Sequence, residues 1–352
     1  MTEDTKGEAP LQHTLLSRSF TFPLPRPGFD PLTAPVKDLE TYGIMPRPDP
    51  QQQELFAAWL RIFAPPMTLV APAYKVVHDT WQLNTSQARQ SNLSAGASRF
   101  APSSNWSGAF IVPTQDTMFV LVAGLWIIPS LQMPPPAFQE ANATSYVCST
   151  WVGLDGQRRY LDSSLPQIGT MQTLTLNQFA PPAVSAQAFF QWWDRENGGD
   201  FLLLGGLPVQ TGDLMLGAIW AIGPQKAIGY LRNISTGQMV IAGATAPPVQ
   251  LNGQWLTPAI AGATAEWILE RPTIFHQTDL YPFPDYGTMS FSSCWAGAAT
   301  VPGPPQSIHN LATARFIRMY DRLADPQRTV WISMADRQSD TAVRLQYGDF
   351  QD

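Results

Sequence analysis

Ala265-Glu266-Trp267-Ile268-Leu269-Glu270 is the stretch on which the reading of the chain turns. Successive side chains on a β-strand point to opposite faces, so Ala265, Trp267 and Leu269 share one face and Glu266, Ile268 and Glu270 the other. The first set is apolar throughout and marks a strand backed onto a core. The second sets two carboxylates around one isoleucine. A carboxylate turned into an apolar layer is costly without a partner. Alternation alone therefore leaves two readings: both glutamates on a solvated outer face, or acids set in a functional cleft. Cα atoms four residues apart on a strand are ~13 Å apart, whereas the paired carboxyls of a retaining glycosidase stand ~5–5.5 Å apart. These two glutamates pair badly with each other, and an active acid here needs a partner from elsewhere.

Outward from this stretch the texture recurs. Short apolar or alternating runs between turn signals cover 109–112, 117–126, 146–153, 186–193, 213–222, 227–233, 238–242, 288–292, 314–320, 329–335 and 341–347. With Pro 33, Gly 25 and 44% hydrophobic residues, about a dozen short strands predict an all-β fold, an antiparallel β-sandwich. One helix is predicted near 50–63. Asp49 serves as N-cap, Pro50 suits the first turn and Gln52 closes a capping box. Leu55, Phe56, Trp59, Ile62 and Phe63 form its apolar stripe, expected to pack on the main body, and Pro65-Pro66 ends it. Residues 80–104 read as a linker or a surface-hugging segment. The division expected is an N-terminal extension over 1–100, a propeptide, wrap or lid, followed by a sandwich over 101–352.

The net charge of −6 lies in the middle of the chain. Residues 1–100 hold nine acids and nine bases, 101–300 twelve acids and six bases, and 301–352 six of each. A nucleic-acid binder shows the opposite bias. An acidic, lysine-poor body fits either an ordinary acidic surface or work at low pH. Cys148 and Cys294 are two buried thiols or one bridge, with no zinc spacing around them. No apolar run reaches the ~18 residues of a membrane span, and no signal peptide is visible at the N-terminus. His13, His78, His276 and His309 never pair at i, i+4, and no Gly-x-Ser-x-Gly elbow, phosphate loop or dinucleotide fingerprint occurs.

Carboxylates and amides remain, and here a family pattern enters. Ser104-Asn105-Trp106-Ser107-Gly108-Ala109, Trp126-Ile127-Ile128-Pro129, Thr150-Trp151-Val152-Gly153-Leu154-Asp155-Gly156 and Gln167-Ile168-Gly169-Thr170 follow one another in order. Phe189-Phe190-Gln191-Trp192-Trp193, Gly212-Asp213, Asn233-Ile234-Ser235-Thr236-Gly237 and 265–270 complete the series. Over roughly residues 103–295 the chain resembles the glutamic peptidase (eqolisin) family, as a bacterial-type member with an N-terminal extension. The resemblance implies a concanavalin-like sandwich of two large curved sheets with a groove on one concave face. It implies an acid endopeptidase acting on polypeptides, monomeric, with no metal or cofactor, and an extracellular setting.

The family's catalytic glutamine falls on Gln167 and its catalytic glutamate on Glu270. Trp151, Asp155, Gln191, Trp192, Trp193 and Glu266 are expected to line or support the substrate cleft, with Trp151 as plain core the alternative. The residue types make the chemistry intelligible. Ionised Glu270 takes a proton from a water placed against the substrate carbonyl. Gln167 offers an N–H to the developing oxyanion and a C=O to orient the water. An unperturbed glutamate stays ionised above pH ~4.3, so a mild-acid window is expected. The chain departs from the family at Gln191, where a glutamate is usual. Two other readings stay open: a carbohydrate-active enzyme using Glu266 and Glu270, and a binding module with a groove of Trp151, Trp192 and Trp193.

Overall fold

The alternating runs form strands β1 (Trp106–Ile111), β2 (Met118–Ile127), β3 (Ser145–Leu154), β4 (Ser164–Thr175), β5 (Ala183–Asp194), β6 (Phe201–Leu204) and β7 (Leu214–Gly223). They continue with β8 (Lys226–Asn233), β9 (Gln238–Thr245), β10 (Ala265–Glu270), β11 (Thr288–Ala299), β12 (Arg315–Arg322), β13 (Thr329–Ser339) and β14 (Ala342–Phe350). The computed structural model describes residues 15–77, 100–157, 164–194, 201–251, 254–273, 279–322 and 329–350. Most of the 80–104 linker reading, with His13, His78 and His276, lies outside them.

Two antiparallel layers result. The front layer runs β6–β5–β4–β3–β10–β1–β12. The back layer runs β9–β8–β7–β2–β11. The pairs β12–β13, β13–β14 and β14–β11 carry the ladder from one layer to the other. The all-β sandwich is thus the architecture of the chain. Between the layers lies an apolar core that includes Trp126, Val152, Ile168, Trp192, Leu231, Trp267 and Leu269. Its fit is close. A Cβ on Gly124 of the back layer would meet the Trp267 ring at 2.7 Å, and the Trp267 indole N–H donates to the Ala123 carbonyl at 2.8 Å. Cys148 and Cys294 are free buried thiols, which excludes the bridge.

Strands β4 and β6 are absent from the runs read in the sequence. In β4 the core-facing side carries polar Thr170 and Gln172, which breaks the apolar alternation. These groups satisfy one another inside: Gln172 Nε2 donates to Thr170 Oγ1 at 2.7 Å, and the Trp126 indole N–H reaches the same oxygen at 3.1 Å. Pro166 sits one step past the last β3 partner, Gly153↔Gln167. β6 is four apolar residues, too short for a period to show.

The N-terminal segment covers the outer face of the back layer. A helix over Gln53–Phe63 buries Leu55, Trp59, Ile62 and Phe63. Trp59, Ile62 and Phe63 join Leu39, Ile44 and Met45 against Leu216, Tyr230, Ile241 and Trp295 of the back layer, as the stripe implied. The helix starts later than its predicted cap. Asp49 Oδ1 accepts from the Gln51 N–H at 2.8 Å, forming a turn ahead of the helix, and Gln52 makes no side-chain cap bond. Shorter helices lie at Leu15–Arg18 and Val36–Thr41. The segment is also stitched to the layers by backbone. Ser19–Phe20 and Thr68–Leu69 pair with β9, and Tyr74–Val77 pairs with β6. The Arg232 guanidinium donates to the carbonyls of Ile62 at 3.1 Å and Pro66 at 2.7 Å, and the Tyr230 hydroxyl to that of Gly43 at 2.9 Å.

Candidate active site

On β10, Ala265, Trp267 and Leu269 enter the inter-layer core. Glu266, Ile268 and Glu270 therefore point to the outer face of the front layer. There Phe110, Trp151, Leu165, Phe189 and Ile268 form a second apolar surface. The strand register sets the side chains of this face in rows. One row reads Phe110, Glu266, Gly153, Gln167, Gln191. The next reads Gly108, Ile268, Trp151, Gly169, Phe189, and the third Trp106, Glu270, Ser149, Met171, Gln187. Gln167 and Glu270 share the face. They stand on the strands flanking β3, with the Trp151 row between their rows.

Glu270 is held from two sides. The Trp151 indole N–H donates to Oε2 at 2.8 Å, and the Asn105 amide donates to Oε1 at 3.5 Å. Trp106 packs edge-on against Trp151, ring centroids 5.1 Å apart. Its indole N–H has no hydrogen bond of good geometry, yet its proximity favours the ionised Glu270 carboxylate. Burial outweighs these donors and pushes Glu270 up to about 7, with Trp106, Trp151 and Asn105 pulling it back. The residue keeps partial exposure.

Glu266 is fully buried. The solvated outer-face reading therefore fails for it, because Thr264, just before β10, and the turn after β3 at Gln157 close over the side chain. Its Oε1 accepts from the Thr264 hydroxyl and from the Gln157 N–H, the latter at 3.2 Å. Burial, then the Asp155 charge, push its carboxyl up to about 8, against the Thr264 bond. Asp155 itself is a clamp. Its carboxylate accepts from the N–H groups of Ala261 at 2.7 Å, Gly262 at 3.1 Å and Ala263 at 2.6 Å, pinning the loop that leads into β10. It adopts a left-handed backbone, φ 71°, and burial raises its carboxyl to about 6 despite those bonds.

Gln167 is buried on β4, and its Nε2 donates to Gln191 Oε1, directly opposite on β5, at 2.8 Å. Trp193 shares the Gln191 face and packs on the cleft-side cluster. Trp192 does not. Period two turns it into the inter-layer core, fully buried, with its N–H on Ser164 Oγ at 2.9 Å. Its expected place along the groove is corrected accordingly. Asn105, Trp106, Ser149 and Thr264 are site neighbours the sequence did not single out as such. Asn105-Trp106 lay inside the first family motif, whereas Ser149 and Thr264 carry no signal short of the register. Trp106 Nε1, Ser149 Oγ, Gln167 Oε1 and Glu266 Oε2 are all buried without a hydrogen-bond partner. Apart from Trp106 Nε1, which lies beside the Glu270 carboxylate, three such atoms on one face of adjacent strands fit a surface built to receive water or a polar ligand.

The Peptidase A4 family matches residues 104–339. No curated protein matches the sequence. Among solved structures, scytalido-glutamic peptidase with a transition state analog inhibitor superposes with a TM-score of 0.50 at 18% identity, covering 70% of this chain and 98% of that one. SCP-B, a member of the Eqolisin family in complex with the tripeptide Ala-Ile-His, gives a TM-score of 0.48 at 17% identity, with 70% and 98% covered. Aspergilloglutamic peptidase from Aspergillus niger gives 0.44 at 18% identity, with 58% and 99% covered. At 18% identity, the first of these likenesses speaks to the fold.

Proposed function

The chain belongs to the Peptidase A4 family and is a glutamic-type endopeptidase; from that premise we propose that Gln167 and Glu270 act as its catalytic dyad on the outer face of the front layer. The observation that carries this reading is the Trp151 N–H bond to Glu270 at 2.8 Å, made from the row that lies between Glu270 and Gln167. The indole holds Oε2 at 2.8 Å, while Oε1, met by the Asn105 amide only at 3.5 Å, keeps the capacity to accept from a water.

The chemistry follows from the groups present. Ionised Glu270 takes a proton from a water as the water oxygen bonds to the scissile carbonyl carbon. The Gln167 N–H not engaged by Gln191 receives the oxyanion. The tetrahedral intermediate then expels the amine, which takes the proton from Glu270 as the C–N bond breaks. The products are a carboxyl terminus and an amino terminus. A carboxyl near neutrality is well poised both to take and to return that proton. The same shift revises the pH expectation. Glu270 acts as a base only when ionised, so its limb of the pH profile rises toward about 7 rather than the ~4.3 of a free glutamate.

The alternatives lose their supports. A glycosidase pairing of Glu266 with Glu270 needs both carboxyls at a substrate, and Glu266 is sealed beneath Thr264 and Gln157. The tryptophan-lined binding groove loses Trp192 to the core. Cleavage of denatured casein between pH 4 and 8, compared with Glu270→Gln, tests the proposal.

We also assign residues 15–77 to the working enzyme as a permanent wrap. Their apolar docking face lies on the back layer, behind the catalytic face, and Tyr74–Val77 extend the front layer only at its β6 edge, so they cover the body without lying over the dyad. Their removal would bare Trp220, Tyr230 and Ile241 and open the edges of β9 and β6.

A further inference from the structure

The backbone ladder between β10 and β1 runs one residue past Glu270: the Arg271 N–H donates to the Asn105 carbonyl at 2.7 Å. Arg271 follows the acid directly, and neighbouring residues of an extended chain point to opposite faces, so its side chain leaves the cleft. The side chain is buried and reaches three separate segments. Nε donates to the Tyr281 carbonyl at 2.6 Å, one terminal nitrogen to Asp321 Oδ2 on β12 at 2.9 Å, and the other to Glu140 Oε1 at 3.3 Å. A planar fork with five N–H groups suits three acceptors set in different directions.

The donor that meets Glu270 on the cleft side is tied to the same strand β12. Asn105 Nδ2 donates to Glu270 Oε1 at 3.5 Å, the far limit of a hydrogen bond. Ser103 sets Asn105. Its hydroxyl donates to Asn105 Oδ1 at 3.1 Å and accepts from the N–H groups of Asn105 at 3.3 Å and Trp106 at 3.0 Å. Ser103 ends the strand Phe100–Ser103, which pairs in parallel with β12, Ser103 opposite Met319. Asp321 stands two residues further along β12. Acid and donor are therefore both referenced to β12, Glu270 through Arg271 and Asp321, Asn105 through Ser103. At 3.5 Å a slight slip between these two arms breaks the contact.

We propose that Arg271 is a positioning residue of this peptidase: its fork locks the end of β10 to β12 and so keeps Glu270 Oε1 within reach of the Asn105 amide. This rests on the Gln167/Glu270 reading. The groups that favour the ionised acid are the neutral donors Trp106, Trp151 and Asn105, so Arg271 acts on it by placement. The charged groups facing the guanidinium are Glu140 and Asp321. Without the fork the strand end is released, the Asn105 contact is given up and the carboxyl holds its proton to higher pH.

Arg271→Met keeps the stem and removes the fork. kcat is expected to fall about three- to tenfold with KM within about twofold, and the ascending limb of the pH profile should move upward. An arginine that only closes the end of the sandwich would lower the melting temperature and leave the limb in place, so a folded variant with an unmoved limb overturns the proposal. Arg271→Lys keeps the charge without the fork and should stay below the parental rate; full recovery overturns it. In an Asn105→Ala background, Arg271→Met should change kcat by less than about twofold, because the donor it serves is gone; an undiminished effect overturns the route through Asn105. Should Arg271→Met not fold, Asp321→Asn loosens the same arm, and there too an unmoved limb overturns the proposal. A last readout needs no turnover. In protein carrying carbon-13 at its glutamate carboxyls, the Glu270 resonance is the one lost in Glu270→Gln. Its titration midpoint should move upward with Arg271→Met, and an unmoved midpoint overturns the proposal. This arm stands even in a chain that cleaves nothing, so a failure of the dyad and a failure of the Arg271 clamp are told apart.

Discussion

The indole N–H of Trp151 donates to Glu270 Oε2 at 2.8 Å across the β3–β10 pair, while the Trp151 ring packs edge-on against Trp106. One side chain thus anchors the acid and builds the floor beside it. Trp151→Phe should keep the floor and lose the anchor. A hydrogen bond to a charged group contributes about 1.5–3 kcal/mol, so kcat/KM should fall at least tenfold. The donor stabilises the ionised form, so its loss should also move the ascending limb of the pH profile upward. A pH series of kcat/KM for parent and variant checks both, and an unmoved limb would mean that the bond does not bear on the active acid.

Two buried acids, Asp155 and Glu266, and the partly exposed Glu270 tie the fold to pH. Asp155, Glu266 and Glu270 are raised to about 6, 8 and 7. Each is raised above its unfolded value, so the native state holds more protons between pH ~4 and about 8. The stability they contribute is fully present below pH ~4 and is lost as pH rises through the folded values. The melting temperature should therefore drop by several degrees between pH 4.5 and pH 8. Differential scanning calorimetry at the two pH values gives the sign, and a higher melting temperature at pH 8 would be the wrong one.

Asp155 holds three backbone N–H groups of the 261–263 loop. Asp155→Asn turns an NH2 toward donors and leaves buried N–H groups unpaired, at about 1–3 kcal/mol each. The expected result is a lower melting temperature together with a lower kcat, because the loop sets the start of the strand that carries both glutamates. A variant of parental stability would remove the clamp from the account.

The wrap makes its own prediction. A specific protease site introduced between Val77 and Phe100 and then cut should leave the 1–77 fragment bound through gel filtration, with activity retained. Release of the fragment with a rise in activity would identify an inhibitory propeptide instead. Trp59→Ala should cost roughly 3–5 kcal/mol, as for a fully buried tryptophan.

The sandwich was legible because most strands carry a clean apolar face, as 265–270 does. β4 was not, since Thr170 and Gln172 face the core and bond each other there, so polarity no longer marks the outside. This is the strand that bears Gln167, which the sequence located through a family motif alone. The two faces of β10 followed from alternation, but the sealing of Glu266 did not. That depends on Thr264 and on Gln157, about a hundred residues away. Trp192 was misplaced by reading an aromatic run as one surface, where period two splits Gln191 and Trp193 from it. The raised Glu270 carboxyl was equally hidden, because burial by Trp106 and Trp151 is a property of packing and not of the residue.

The central claim is that a carboxamide and one acid on the same face cut the peptide bond. The most direct test is the rate of casein cleavage by Glu270→Gln at the parental optimum. The account predicts a loss of about 10²–10⁴-fold in kcat in a protein with the parental fold. A folded Glu270→Gln enzyme that cleaves at the parental rate would contradict it.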